Sequence, residues 1–220
     1  MDIKKILAAT DHTLLRPAAT WSQIETLLDE GILFGCASAC IPPSYVQEAF
    51  SRVRGKLPIC TVVGFPNGYD TTGSKLFQTE DALENGAAEI DMVINLGWVK
   101  DGLWDFIEDE IGQIRDLCED AVLKVIVETC ELTDKEKIHL CRIVTDCGAD
   151  FIKTSTGFAK SGATAGDIRL LKAHVGPKVG IKASGGIRTL EDAQALMDLG
   201  ATRLGASGLV KQARQLLNQD

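Results

Sequence analysis

The sequence has few of the features that mark a metalloprotein, a secreted protein or a membrane protein. Its three histidines show no metal-ligand spacing, and its seven cysteines, an odd number, include no CxxC pair. No run approaches the roughly 18 apolar residues of a membrane helix, and the first residues lack the apolar segment of a signal peptide. We therefore expect a cytoplasmic protein with reduced thiols, no metal and no contact with a membrane.

An excess of positive charge is also absent. The chain has 31 acidic and 23 basic residues, which gives a formal net charge of −8. This balance argues against nucleic acid as the main partner, because a polyanion is bound by basic surfaces. A small anionic ligand stays compatible with it, since the charge close to the ligand decides such binding. The hydrophobic share of 45% is ordinary for a globular protein.

The sequence does contain a regular alternation of short β-rich runs and amphipathic helical stretches. A glycine followed by a turn and a strand recurs at Gly31, Gly86, Gly148 and Gly200, with intervals of 55, 62 and 52 residues. Each interval holds about two βα units, so the chain has room for eight. Eight near-even units predict one (β/α)8 TIM barrel domain over residues 1–220, with a doubly wound open sheet as the alternative.

The bounds of the individual elements follow from the same patterns. The predicted strands are 10–14, 34–40, 58–64, 88–95, 122–128, 150–155, 178–183 and 203–206. The predicted helices include 21–28, 74–85, 101–118, 133–146 and 189–199.

Alternation within the four middle strands separates an aliphatic face from a charged face. Successive side chains of a strand point to opposite sides, so in a barrel the aliphatic face meets the helices and the other points inward. Buried charges are costly unless paired, so we expect one network, either a structural ion-pair cluster or an active site. We favour the active site, because buried ion pairs add little stability over apolar packing. The inward-facing charged residues are Lys124, Lys153, Lys182, Glu89, Asp91 and Glu128.

Two lysines and a carboxylate of this set suit amine catalysis. A lysine is a nucleophile only as the neutral amine, and a reference pKa near 10.4 leaves little of that form at neutral pH. Burial and a neighbouring cation both favour the neutral amine. Lys182 is the candidate cation next to Lys153, and Asp91 is the candidate proton relay. We therefore predict carbon–carbon bond chemistry through an iminium with no cofactor, and assign Lys124 and Glu128 supporting positions.

Glycine-containing loops near the ends of the seventh and eighth strands predict a phosphate site. TIM barrels often bind phosphate here, through backbone N–H groups and the N-terminus of a following helix. The predicted phosphate-binding residues are Gly185, Gly186, Gly205 and Ser207.

Two segments resemble motifs of the deoxyribose-phosphate aldolase family: FIKTSTGF at 151–158 and IKASGGIR at 181–188. The resemblance implies a metal-free class I aldolase that cleaves 2-deoxy-D-ribose 5-phosphate into D-glyceraldehyde 3-phosphate and acetaldehyde, in deoxyribose catabolism. It implies that Lys153 forms the Schiff base, that Lys182 perturbs it and that Asp91 relays protons. It also places Gly185, Gly186 and Ser207 at the phosphate. Further segments in family order are 11–15, 62–66, 89–95 and 124–129.

The chain departs from that family at its C-terminus. Some members end in a tyrosine that assists proton transfer at the enamine carbon, whereas this chain ends LLNQD. That step therefore has no assigned residue, with water as a substitute. Cys40 falls at a pocket-lining family position, where we interpret it as a buried structural thiol.

Two other functions stay open from the residues alone. The chain is compatible with another Schiff-base aldolase that acts on a keto sugar phosphate, or with a non-catalytic sugar-phosphate binding protein. The predicted partners are a sugar phosphate and an aldehyde, and association into homo-oligomers is left open.

Overall fold

Eight short parallel strands close into a barrel in the computed structural model, which describes residues 1–217. Each strand pairs with the next one in sequence, and the eighth pairs with the first. This order confirms the predicted TIM barrel and rules out the open sheet. The strands are β1 Thr10–Thr13, β2 Ser38–Cys40, β3 Ile59–Val63, β4 Glu89–Val93, β5 Val122–Ile126, β6 Phe151–Lys153, β7 Gly180–Ser184 and β8 Arg203–Ala206.

Helices surround the barrel and connect its strands. None of those formed by residues 1–217 has the length and apolarity needed to cross a bilayer. They are α1 Ile3–Ala8, α2 Trp21–Phe34, α3 Val46–Val53, α4 Thr72–Glu84, α5 Leu96–Asp101, α6 Trp104–Cys118, α7 Asp134–Asp146, α8 Ala165–His174, α9 Leu190–Asp198 and α10 Leu209–Leu217.

Two predicted bounds were wrong because glycines end helices in the left-handed conformation. The predicted strand 34–40 starts only at Ser38, since α2 continues to Phe34 and ends at Gly35, with φ 63°. The predicted helix 101–118 starts only at Trp104, because Asp101 is the last residue of α5, which ends at Gly102 with φ 70°.

The predicted division of the strands into two faces is confirmed. Ile90, Met92, Leu123 and Val125 belong to the large apolar core between the barrel and the helices. The opposite faces of the same strands carry Asp91 and Lys124, which are fully buried inside the barrel. The fold therefore encloses charged side chains where many barrels have apolar layers.

A second buried ion pair lies outside the barrel, between α4 and α6. Lys75 Nζ is 2.8 Å from Glu110 Oε2 and donates to the carbonyl oxygen of Val93 at 2.8 Å. Both charged side chains are inaccessible to solvent. Burial lowers the pKa of Lys75 and raises that of Glu110, and the attraction between them only partly offsets this.

Breaking this pair is expected to destabilise the fold strongly. Lys75→Met should lower the free energy of unfolding by about 3–5 kcal/mol, because Glu110 is left buried without a counter-charge. The double variant Lys75→Met/Glu110→Leu should recover most of that loss, since it removes both charges. Urea denaturation measures both free energies of unfolding. The more exposed pair of Lys100 and Glu136 is the control, and Lys100→Met should lower the free energy of unfolding by less than about 1 kcal/mol. A double variant no more stable than the single one would contradict this.

Candidate active site

The centre of the barrel holds an ion-pair network built on Asp91. Asp91 Oδ2 accepts from Lys153 Nζ and Lys182 Nζ, each at 2.6 Å, and Oδ1 accepts from Lys124 Nζ at 2.9 Å. The parallel register places Asp91 beside Lys124 and Lys153 beside Lys182. Lys153 and Lys182, which are 62 and 91 positions from Asp91 along the chain, therefore contact the same oxygen of its carboxylate. This contact brings the three predicted catalytic residues together.

Two residues that the sequence analysis did not assign to the network complete it. Asp11 on β1 binds Lys182 Nζ through Oδ2 and accepts from Arg203 Nη1 at 2.8 Å through Oδ1. Arg203 on β8 also donates to Glu89 Oε1 at 3.2 Å. Glu89 Oε2 in turn lies 2.6 Å from Lys124 Nζ.

Glu128 does not join the network, in contrast to the prediction. β5 ends at Ile126, and Glu128 has a left-handed backbone with φ 53°, so strand alternation no longer decides where its side chain points. Its carboxylate accepts from the backbone N–H of Thr156 at 3.1 Å and from Thr156 Oγ1 at 2.5 Å. Glu128 therefore braces the loop that follows Lys153.

Attraction within the network outweighs the cost of burying its charges. Burial by itself would raise the pKa of Asp91, but the three lysines hold it well below its usual range. The pKa of Asp11 is likewise lowered to about 2, because Lys182, Lys124 and Arg203 overcome the effect of burial. Burial opposes the charge of Lys182, yet Asp11 and Asp91 raise its pKa above the ordinary value. Lys182 is therefore a permanent cation beside Lys153.

A cavity of about 710 Å³ opens at the carboxyl ends of the strands. Among the network residues that the structure describes, Lys153 is the one that lines this cavity, while Asp91 and Lys182 lie behind it. Catalytic residues of TIM barrels occupy this end of the barrel. The wall also includes all four predicted phosphate-binding residues: Gly185, Gly186, Gly205 and Ser207.

These four residues occupy different local structures. Gly185 and Gly186 follow β7 with φ of 79° and 75°, a left-handed conformation that glycine adopts readily. Ser207 lies between β8 and α10. Gly205 lies within β8 and not in the loop after it, as had been predicted, and a Cβ atom here would come within 2.9 Å of Ser184 Cβ and 3.2 Å of Lys182 Cε. The absence of a side chain at Gly205 therefore makes room for Ser184 and Lys182 on the neighbouring strand.

Comparison with known proteins identifies the chain. A family model described as DeoC/LacD family aldolase matches residues 5–211. The chain belongs to the DeoC/LacD aldolase family.

Individual relatives of this aldolase agree with the family match. A deoxyribose-phosphate aldolase from Streptococcus pyogenes serotype M4 is 57% identical over 211 residues, which cover 96% of this chain and 95% of that protein. A solved structure described as an aldolase is 36% identical, with a TM-score of 0.93 and coverage of 97% and 96%. The tetrameric deoxyribose phosphate aldolase from Aeropyrum pernix is 30% identical, with a TM-score of 0.91 and coverage of 100% and 94%. The resemblance seen in the motifs is therefore confirmed, and this chain is an enzyme of the lyase class.

Two thiols of the aldolase lie against the network. Cys40 and Cys60 are opposite each other on β2 and β3, both fully buried, which agrees with the interpretation of Cys40. Cys60 Sγ is 3.3 Å from Asp91 Oδ1, and burial raises the pKa of its thiol. Sulfur and carboxylate oxygens cluster here within 4.8 Å, as metal ligands would. Lys124 already contacts both Cys60 and Asp91, so ammonium groups supply the positive charge.

Phe158 lines the cavity, and its ring packs on another phenylalanine. The ring of Phe158 meets that of Phe65 edge to face, with centroids 5.3 Å apart. Phe158 is half-exposed, and it follows the loop that Glu128 braces. The C-terminal residues Asn218–Asp220, which lack the tyrosine of some family members, lie outside the described residues.

Proposed function

We propose that this aldolase reversibly cleaves 2-deoxy-D-ribose 5-phosphate into D-glyceraldehyde 3-phosphate and acetaldehyde through a Schiff base on Lys153. The observation that carries the proposal is the position of Lys153, which lines the cavity while its Nζ lies 2.6 Å from Asp91 Oδ2. The name of the 57% identical relative supports this substrate. We also propose that residues 1–220 act as one domain.

The ion-pair network around Lys153 contains more cations than carboxylates when all its lysines are protonated. With Lys153 protonated, the network contains four cations and three carboxylates, so one positive charge is unmatched. Loss of the Lys153 proton leaves three charges of each sign.

The reaction then proceeds by proton transfers around Lys153. The neutral amine attacks C1 of the open-chain sugar, and Asp91 transiently carries the proton that converts the carbinolamine hydroxyl into leaving water. The iminium accepts the electron pair of the C2–C3 bond when that bond breaks, and the C3 hydroxyl gives its proton to water as C3 becomes the aldehyde carbon of the glyceraldehyde phosphate. The enamine takes a proton at C2, which we assign to water, and hydrolysis releases acetaldehyde and regenerates Lys153.

The phosphate is proposed to bind at the loops after β7 and β8. Backbone N–H groups of Gly185 and Gly186, the hydroxyl of Ser207 and the N-terminus of α10 are suited to an anion. These groups line the same cavity as Lys153.

A trapping assay tests the proposal. Borohydride reduction in the presence of deoxyribose 5-phosphate should leave an adduct that maps to Lys153 by mass spectrometry. Acetaldehyde should serve as donor, whereas dihydroxyacetone and pyruvate should not, which separates this function from a keto-sugar aldolase. Binding without turnover would indicate a sugar-phosphate sensor, and loss of activity with a chelator would contradict the metal-free mechanism.

A charge placed in the phosphate site should change substrate preference. Ser207→Glu is expected to lower kcat/KM for deoxyribose 5-phosphate about 100-fold, because a carboxylate repels the phosphate. The matched neutral variant Ser207→Gln should lose much less, and both should leave kcat/KM for unphosphorylated deoxyribose within a few fold. An equal loss for both sugars would place the phosphate elsewhere.

We further propose that the chain acts in a reducing compartment, the cytoplasm, as a homo-oligomer without nucleic acid. All seven cysteines are free thiols, which suits such a compartment. The name of the Aeropyrum pernix relative supports self-association. Light scattering after gel filtration measures the oligomeric state.

A further inference from the structure

Arg203 lies outside the substrate cavity, at the start of β8. Its guanidinium sits 5.3 Å above the ring of Phe151, and its side chain is 14% exposed. Arg203 and Phe151 line a separate cavity of about 630 Å³, whose other residues come from α1, α9 and the segments that lead into β1, β2 and β8. Parallel strands begin at the opposite end of the barrel from the active-site loops, so Arg203 is not placed to touch substrate.

Two continuous chains of ion pairs nevertheless join Arg203 to Asp91. The first runs through Asp11, which binds both Arg203 and Lys182. The second runs through Glu89, which lies 3.2 Å from Arg203 Nη2, and then through Lys124. Both chains end on the carboxylate that binds Lys153.

Arg203 is also the source of the unmatched charge in the network. Without Arg203, the three positive charges of the protonated lysines would equal the three negative charges of Asp11, Glu89 and Asp91. Release of the Lys153 proton would then leave the network with one unmatched negative charge. With Arg203 present, the balance is reached only when that proton is gone.

The ionisable groups of the barrel interior around Lys153 come from each of the other seven strands, and His12, Arg16 and Glu30 line the cavity in front of it. Burial raises the pKa of the Cys60 thiol, whereas the hydrogen bond with Cys60 lowers the pKa of the Cys40 thiol. With both thiols in their neutral form, the lysines, Arg203 and the three carboxylates alone set the balance of charge. Cys40 and Cys60 share a hydrogen bond. The groups are Asp11 of β1, Cys40 of β2, Cys60 of β3, Glu89 and Asp91 of β4, Lys124 of β5, Lys182 of β7 and Arg203 of β8.

We propose that Arg203 and Glu89 are positioning residues of opposite sign, which set the pH at which Lys153 becomes a free amine by adjusting the net charge of the network. Both act through Asp91 and the other lysines, without contact with substrate. The proposal rests on the proposed function, because it assumes that Lys153 is the Schiff-base lysine.

Two variants that change the net charge of the network in opposite directions test the proposal. Arg203→Met removes a cation, so the acid limb of the kcat/KM profile should move to higher pH by about one unit, which is about a tenfold loss on that limb. Glu89→Gln removes an anion, so the same limb should move to lower pH by a similar amount. The double variant should return close to the wild-type midpoint, and Arg203→Lys, which keeps the charge, should change it little.

The pH dependence of borohydride trapping, followed with each folded variant, separates the possible failures. If the adduct does not map to Lys153 in the wild-type enzyme, the proposed function fails. If the adduct maps there but both single variants shift the midpoint in the same direction, or only lower activity equally at every pH, the electrostatic role fails. If Arg203→Met does not fold, Glu89→Gln and the double variant still test the proposal. A pH midpoint that is not lowered in Glu89→Gln would overturn it.

Discussion

Lys153→Arg is expected to lower turnover of deoxyribose 5-phosphate by about 100,000-fold, the scale seen when a catalytic nucleophile is removed. Arginine keeps a positive charge that can pair with Asp91, but its guanidinium does not lose a proton and so cannot form an imine. The variant should therefore fold with a charged network and give no adduct with borohydride. Steady-state kinetics and mass spectrometry of the reduced protein measure the two effects.

An exposed lysine provides the control for this variant. Lys160 is 65% exposed and pairs with Glu131 at 3.1 Å, outside the barrel. Lys160→Arg should keep full activity and the adduct at Lys153. Activity of Lys153→Arg above one hundredth of wild type, or an adduct that maps to Lys182, would show that another amine forms the imine.

Asp91→Asn is expected to lower kcat by about 1,000-fold, within the range for loss of a general acid–base group. Asparagine has nearly the same shape, but it does not carry the proton between Lys153 and the carbinolamine. The change also leaves Lys124, Lys153 and Lys182 without their shared carboxylate, so the free energy of unfolding should fall by about 3–5 kcal/mol. Stopped-flow kinetics and urea denaturation measure these losses separately.

Glu89→Gln is the matched control, because it removes the same charge from the network and leaves the carboxylate at Lys153 in place. If charge alone mattered, the two variants would be equally impaired. We expect Glu89→Gln to retain activity within about tenfold at its own optimum. Similar losses in both variants would mean that Asp91 has no role in proton transfer.

The parts of the site that strand alternation predicted are those on strands with aliphatic residues to mark the outer face. Lys153 and Lys182 lie opposite Ile152 and Ile181, so their inward direction is evident from neighbouring residues. β1 reads TDHT and has no aliphatic residue, so alternation does not show that Asp11 points inward. On β8, Leu204 did mark the outer face, and the opposite position of Arg203 was an available signal.

Glu128 shows where alternation stops being a guide. Glu128 has the same parity as Lys124, but it lies two residues beyond the end of β5 at Ile126, and its backbone is left-handed. A local conformation of this kind depends on the contacts that the loop makes, here with Thr156 on the next strand's loop. Alternation reports the period of a regular strand and does not apply beyond the end of that strand.

The amino-acid sequence by itself determined the number of βα units, the face on which most charged residues lie and the motifs of the aldolase family, because each depends on residues close together in the chain. Only the tertiary structure decided that Lys153 and Lys182 share one oxygen of Asp91, that Lys153 alone among the network residues described lines the cavity, and that Arg203 leaves one charge unmatched. These relations depend on the register of strands that are up to 192 positions apart in sequence, and that register is set by closure of the barrel.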